Sequence, residues 1–116
     1  MKYLIVLNDP PYGSERTYNG LRLALALSKG EGAELQLFLL ADSVSCAKAT
    51  QKTPNGYYNL ERMLKALLLS KVPVGACGSC LDARGLAEPE LLTGVRRSSM
   101  EELAKWTARA DKVIVF

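Results

Sequence analysis

Apolar residues along this chain follow two regimes. In Tyr3–Leu7, Leu35–Leu40, Val72–Ala76 and Val113–Phe116 they run almost continuously, the pattern of strands covered on both faces. Elsewhere they recur at helical spacing. Leu60, Met63, Leu64, Leu67 and Leu68 follow the i, i+3, i+4, i+7, i+8 stripe, and Asn59 stands before them as a cap. Ser14 is the expected cap of an earlier helix, with Glu15 in its first turn, that runs to about Ser28 and stops at Gly30 and Gly32. Ser98-Ser99-Met100-Glu101 reads as a capping box opening a last helix to about Ala110. Its inner stripe is expected to be Met100, Leu103, Ala104 and Thr107, with Trp106 on the flank.

Less regular stretches separate these elements. Two prolines and a glycine in Asn8-Asp9-Pro10-Pro11-Tyr12-Gly13 forbid regular structure. A short helical or irregular piece is expected over Asp42–Gln51, and Lys52–Tyr58, with Pro54-Asn55-Gly56, reads as a flexible loop. A charged loop with Asp82 and Arg84 follows Cys80, then one helical turn in Glu88–Leu92 and a short fourth strand over Gly94–Arg97.

Strands alternating with helices imply right-handed crossovers. The chain therefore reads as one α/β domain, 1–116, with a mainly parallel sheet of about five strands between helix layers, a three-layer α/β/α arrangement. Ligands of such sheets bind outside the carboxyl ends of the strands, where the winding reverses. If strands one and three are neighbours, as in doubly wound sheets, the Asn8–Ser14 loop and the loop beginning at Cys77 share one crevice. The loop from Asp42 would form its wall.

Composition narrows the function. Apolar residues make up 48% and charged residues 23%, which excludes disorder and fits an ordinary globular domain. A net charge of +3 is spread along the chain, and its densest point, Arg96-Arg97, has no aromatic interleaving, so no nucleic-acid partner is expected. Tyr3–Leu7 is too short for a signal segment, and no run approaches a membrane span. The expectation is a cytoplasmic protein without a membrane partner.

Histidine is absent, which removes Cys–His and Ser–His nucleophile pairs. Three cysteines, Cys46, Cys77 and Cys80, are an odd number for a disulfide framework. They also fall short of the four ligands of a structural zinc site, so neither metal nor cofactor is expected. Asn8–Gly13 lacks the glycine pattern of a phosphate-binding loop. What remains is thiol chemistry. Val72–Ala76 leads straight into Cys77-Gly-Ser-Cys80, and sulfur at a strand end lies where α/β folds keep their sites.

A thiolate can take up a sulfane sulfur without histidine, and Arg84 is the next cation along the chain to stabilise it. A Cys-x-x-Cys dithiol couple is the rival reading, and mere packing, the expected state of Cys46, is the third. Asn8, Tyr12 and Asp42 lie at predicted strand ends and could line a small-ligand crevice, although Asn8 and Asp42 are also common turn residues. A non-catalytic binding module is thus a further alternative. Leu21–Leu27 and Leu67-Leu68-Leu69 carry more apolar surface than one stripe needs, which points to a subunit interface.

The chain as a whole resembles the DsrE/DsrF-like family, and within it the small YchN-like members. The resemblance rests on Pro11-Tyr12-Gly13-Ser14-Glu15, Leu21-Arg22-Leu23-Ala24, Leu37-Phe38-Leu39-Leu40-Ala41-Asp42 and Gly56-Tyr57 before Asn59. It continues through Val72-Pro73-Val74, Cys77-x-x-Cys80, Asp82-x-Arg84-Gly85 and Trp106-Thr107-x-x-Ala110-Asp111-Lys112-Val113. It implies a three-layer domain assembling as a homo-oligomer, a trimer or hexamer. It also implies sulfur relay between donor and acceptor proteins, with the persulfide on Cys77 and Cys80 as an auxiliary thiol. The loop around Cys77 departs from that of the relay members, so the fold carries over further than the function.

Overall fold

The computed structural model describes residues 1–116. Five parallel strands form one sheet: β1 (Lys2–Leu7), β2 (Glu34–Leu39), β3 (Val74–Cys77), β4 (Val95–Ser98) and β5 (Lys112–Val115). Their order across the sheet is β4-β3-β2-β1-β5. The chain steps from β1 to β4 in one direction, then returns past three strands to pair β5 with β1. Right-handed crossovers place α1 (Arg16–Ser28), α2 (Leu60–Leu69) and the short α3 (Gly78–Ala83) on one face. The reversed last step puts α4 (Met100–Arg109) on the other.

This order corrects the expected adjacency of strands one and three. β2 lies between them, because each of the first crossovers moves one strand further and none returns. The winding instead reverses between β1 and β5. There Asn8 closes the gap, its backbone N–H and its side-chain amide both donating to the Phe116 carbonyl at 3.1 Å.

The core forms on both faces of β1 and β2. Leu35, Leu37 and Leu39 alternate with Phe38 along β2, and all four are buried. Trp106 of α4 meets Phe38 edge-on, with ring centroids 5.9 Å apart at 88°. Trp106, expected on the flank, is therefore a core residue, while Met100, expected inside, is 62% exposed. Leu103 belongs to either stripe, and the larger apolar area of the indole decides which one turns inward.

The helix starts also differ in detail. Asn59 caps α2 as expected, accepting the Arg62 N–H at 3.1 Å. Ser14 does not cap α1. It stands one residue outside the cap position, which Glu15 occupies; its hydroxyl donates to Asp9 at 2.8 Å and accepts the Arg16 N–H at 3.4 Å. α4 is capped by Ser99, one residue later than expected, through the Glu102 N–H. Glu102 does not reach back to its cap; its carboxylate instead accepts from Ser98 at 2.6 Å and from Arg96 at 3.1 Å. The piece after β2 is a 3₁₀ turn over Ala41–Ala47. No helix is long and apolar enough to cross a membrane.

Candidate functional site

Cys77 ends β3 and caps α3. The stretch expected as a charged loop is a helix because Gly85, at φ +65°, closes it. Gly85 N–H returns to Asp82 O at 3.1 Å and Leu86 N–H to Leu81 O at 3.0 Å, the paired bonds of a glycine-terminated helix end. That glycine was the legible signal for the missed helix. As its cap, Cys77 stands where Ser or Asp would serve, and its Sγ accepts the Cys80 N–H at 3.4 Å. The Ser79 hydroxyl lies 3.3 Å from the same sulfur.

Cys77 is 6% exposed. Burial opposes a charge there, yet hydrogen bonding from the Cys80 thiol, the Ser79 hydroxyl and the backbone of Cys80 and Ser79 outweighs it, and the thiol is held below its usual range. Cys80 moves the other way: burial and then the neighbouring Cys77 sulfur push it up, against the Ala41 N–H and the Arg84 guanidinium. Cys46 is fully buried, and burial pushes its thiol up to about 12. It is a packing residue.

The 3₁₀ turn after β2 forms one wall, as expected. Ala41 N–H donates to Cys80 Sγ at 3.3 Å, and Asp42 accepts from Arg84 Nε and Nη2 at 2.9 and 2.7 Å. Arg84 also donates to the Cys80 carbonyl at 3.0 Å. Arg84 thus braces the Cys80 end of the pair, bridging α3 to the turn. A second guanidinium that sequence reasoning missed, Arg97 of β4, lies against the start of α3. Its guanidinium pairs bidentately with Asp82 at 2.9 and 2.8 Å and lies so close to Gly78 that a Cβ there would stand 2.9 Å from its central carbon. Pairing of Ala76 with Arg97 and of Cys77 with Ser98 brings β4 to this position.

The remaining candidates lie apart from the thiols. Asn8 is occupied with the end of β5, as described, and its carbonyl accepts the Ser43 N–H at 3.2 Å. The Tyr12 hydroxyl donates to Gln51 at 2.7 Å and accepts the Leu60 N–H at 3.2 Å, locking the Pro11 loop to the start of α2. Its ring stacks on Tyr58, which stacks on Tyr18. Asp42 and Arg84 join the cysteine cluster; Asn8 and Tyr12 tie loops to the scaffold.

Fold and site together define a three-layer α/β protein with a thiol pair at the carboxyl end of a central strand. The DsrE/DsrF-like family matches over residues 1–116, and the chain belongs to it. Escherichia coli (strain K12) Protein YchN is 45% identical over 99% of this chain and 98% of its own length, and its crystal structure superposes with a TM-score of 0.94. A Haemophilus influenzae protein described as a Sulfurtransferase TusD homolog is 26% identical over 98% of both chains. The structure of MTH1491 from Methanobacterium thermoautotrophicum, 14% identical with a TM-score of 0.77 over 99% of this chain and 98% of that one, shares the fold.

Proposed function

We propose that this protein is a sulfur carrier that takes up sulfur as a persulfide on Cys77. One observation carries the reading: the Cys77 sulfur, at the end of β3, meets the Cys80 N–H at 3.4 Å and the Ser79 hydroxyl at 3.3 Å, which favour its charged form. The family and the TusD-type relative support sulfur relay as its setting. The Cys77 thiolate attacks the outer sulfur of a donor persulfide. The donor leaves as a thiolate, and the outer sulfur now sits on Cys77. An acceptor nucleophile then takes that sulfur and Cys77 returns to thiolate. No net oxidant is needed. A reducing compartment such as the cytoplasm suits this chemistry.

The test is intact-protein mass after exposure to a cysteine desulfurase with cysteine and, separately, to inorganic polysulfide. The expected outcome is one added sulfur on the wild type or on Cys80→Ser and none at position 77 of Cys77→Ser. If neither donor loads Cys77 in any of these proteins, the carrier reading falls.

A second reading, a dithiol redox couple, is favoured by the Cys77-x-x-Cys80 spacing across the start of α3, where the Cys80 N–H donates to the Cys77 sulfur. It requires the disulfide to form with mild oxidant alone. We also infer assembly into a homo-oligomer. Leu69 at 82%, Met100 at 62% and Val115 at 61% exposure support it, since large apolar side chains left in water mark interfaces.

A further inference from the structure

Cys80 differs from a packing cysteine in three respects. It is only half-buried, whereas Cys46 is fully buried. It has its own backbone donor, the Ala41 N–H at 3.3 Å. Ala41 takes φ +49°, the left-handed region that non-glycine residues rarely adopt, so the backbone is held off its preferred conformation at the residue whose N–H meets this sulfur. Arg84 then ties the Cys80 carbonyl to Asp42 of the same turn. The two sulfurs therefore each have a backbone N–H donor, Cys80 N–H for Cys77 and Ala41 N–H for Cys80. They stand three residues apart across a helix start, the spacing from which a disulfide closes.

We propose that Cys80 is a discharge thiol: when no acceptor takes the sulfur, it displaces it from a Cys77 persulfide as hydrogen sulfide. The proposal rests on the carrier reading above. In this step the Cys80 thiolate, accepting the Ala41 N–H, attacks Cys77 Sγ. The Sγ–Sγ bond between positions 77 and 80 forms and the bond from Cys77 to the outer sulfur breaks. The outer sulfur leaves with the electron pair and takes up the proton that Cys80 gave up. Both cysteine sulfurs are oxidised by one electron relative to the thiols, and the sulfane sulfur is reduced to sulfide, so no external oxidant enters.

While Cys77 is an unloaded thiolate, its charge beside Cys80 disfavours a second thiolate, and nothing is available to displace. Loading moves the charge to the outer sulfur and makes Cys77 Sγ an electrophile. The product disulfide needs a dithiol reductant before the site can load again. Sulfur that is not collected leaves the site as free sulfide, and an uncollected load takes the protein out of service until it is reduced.

The test loads wild type, Cys80→Ser and Cys80→Ala with inorganic polysulfide without oxygen, removes the excess, and follows intact mass and released sulfide. The expected result is that Cys80→Ser and Cys80→Ala keep the added sulfur on Cys77 about tenfold longer than wild type or more. Wild type releases its sulfur as sulfide, loses two hydrogens in mass, and yields a linked Cys77–Cys80 peptide. A wild-type persulfide that lasts as long as that of the two variants overturns the discharge role and leaves the carrier reading standing. Transfer of the intact sulfur to Cys80 also overturns it. Failure of both variants to load at Cys77, from polysulfide and from a cysteine desulfurase with cysteine alike, overturns the carrier reading itself. Cys46, protected from alkylation in native protein and exposed on unfolding, reports that each variant is folded.

Discussion

At the scale of single residues, the three cysteines differ in the pH at which they become reactive. A thiol alkylates as its thiolate. Cys77, held low, is expected to label with iodoacetamide at a lower pH than Cys80, which is held high by burial and by Cys77. Cys46, buried and pushed up to about 12, is expected to stay unlabelled in native protein. Ser79→Ala removes a bond that favours the charged form, so the Cys77 labelling profile is expected to move to higher pH. A profile that does not move would deny the hydroxyl that role. The position of Cys77 was legible in the sequence, since a cysteine closing a β-type run needs no distant information. Its electrostatic surroundings were not. The next cation along the chain, Arg84, faces Asp42 and Cys80, whereas Arg97, twenty residues from Cys77 by numbering, lies against Gly78.

At the scale of elements, caps and helix ends decide where the site's residues point. Asn59→Ala leaves the Arg62 N–H without its partner and is expected to cost about 1 kcal/mol in chemical denaturation. Gly85→Ala places a side chain at φ +65°, a conformation disfavoured by roughly 1 kcal/mol or more outside glycine. Because Gly85 ends α3, that variant is also expected to slow Cys77 alkylation, and an unchanged rate would separate the helix end from the site. Trp106→Ala removes the edge-on partner of Phe38 and is expected to destabilise by about 3–5 kcal/mol. Apolar patterning located the five strands and the three long helices to within a few residues. It misassigned the buried stripe of α4 because Leu103 fits two stripes, and only the space beside Phe38 selects the one holding Trp106. The helix α3 escaped because six residues are too few to show a period.

At the scale of the whole molecule, strand order determines which loops meet. β2 between β1 and β3 brings the turn after β2, and not the loop after β1, to the cysteines. The same order leaves β4 and β5 as edges, with Val113 at 41% and Val115 at 61% exposure on β5. Unpaired edges with apolar side chains invite association. Light scattering is expected to give a multiple of the 12.7 kDa chain mass, and Val115→Lys with Leu69→Lys is expected to lower it. A monomeric wild type would refute the assembly proposed here.

The sequence by itself determined the α/β class, the parallel sheet, the approximate extents of the three long helices and the placing of Cys77 at a strand end. Each of these follows from local pattern: runs buried on both faces, stripes at helical period, and side chains that bond their own backbone. Tertiary structure alone decided the strand order and the setting of the thiols. Ala41 meets Cys80 across 39 residues, Arg84 meets Asp42 across 42, and Arg97 meets Asp82 across 15. Such contacts depend on which strands become neighbours. That choice is made by packing the layers together, and no short stretch of sequence records it.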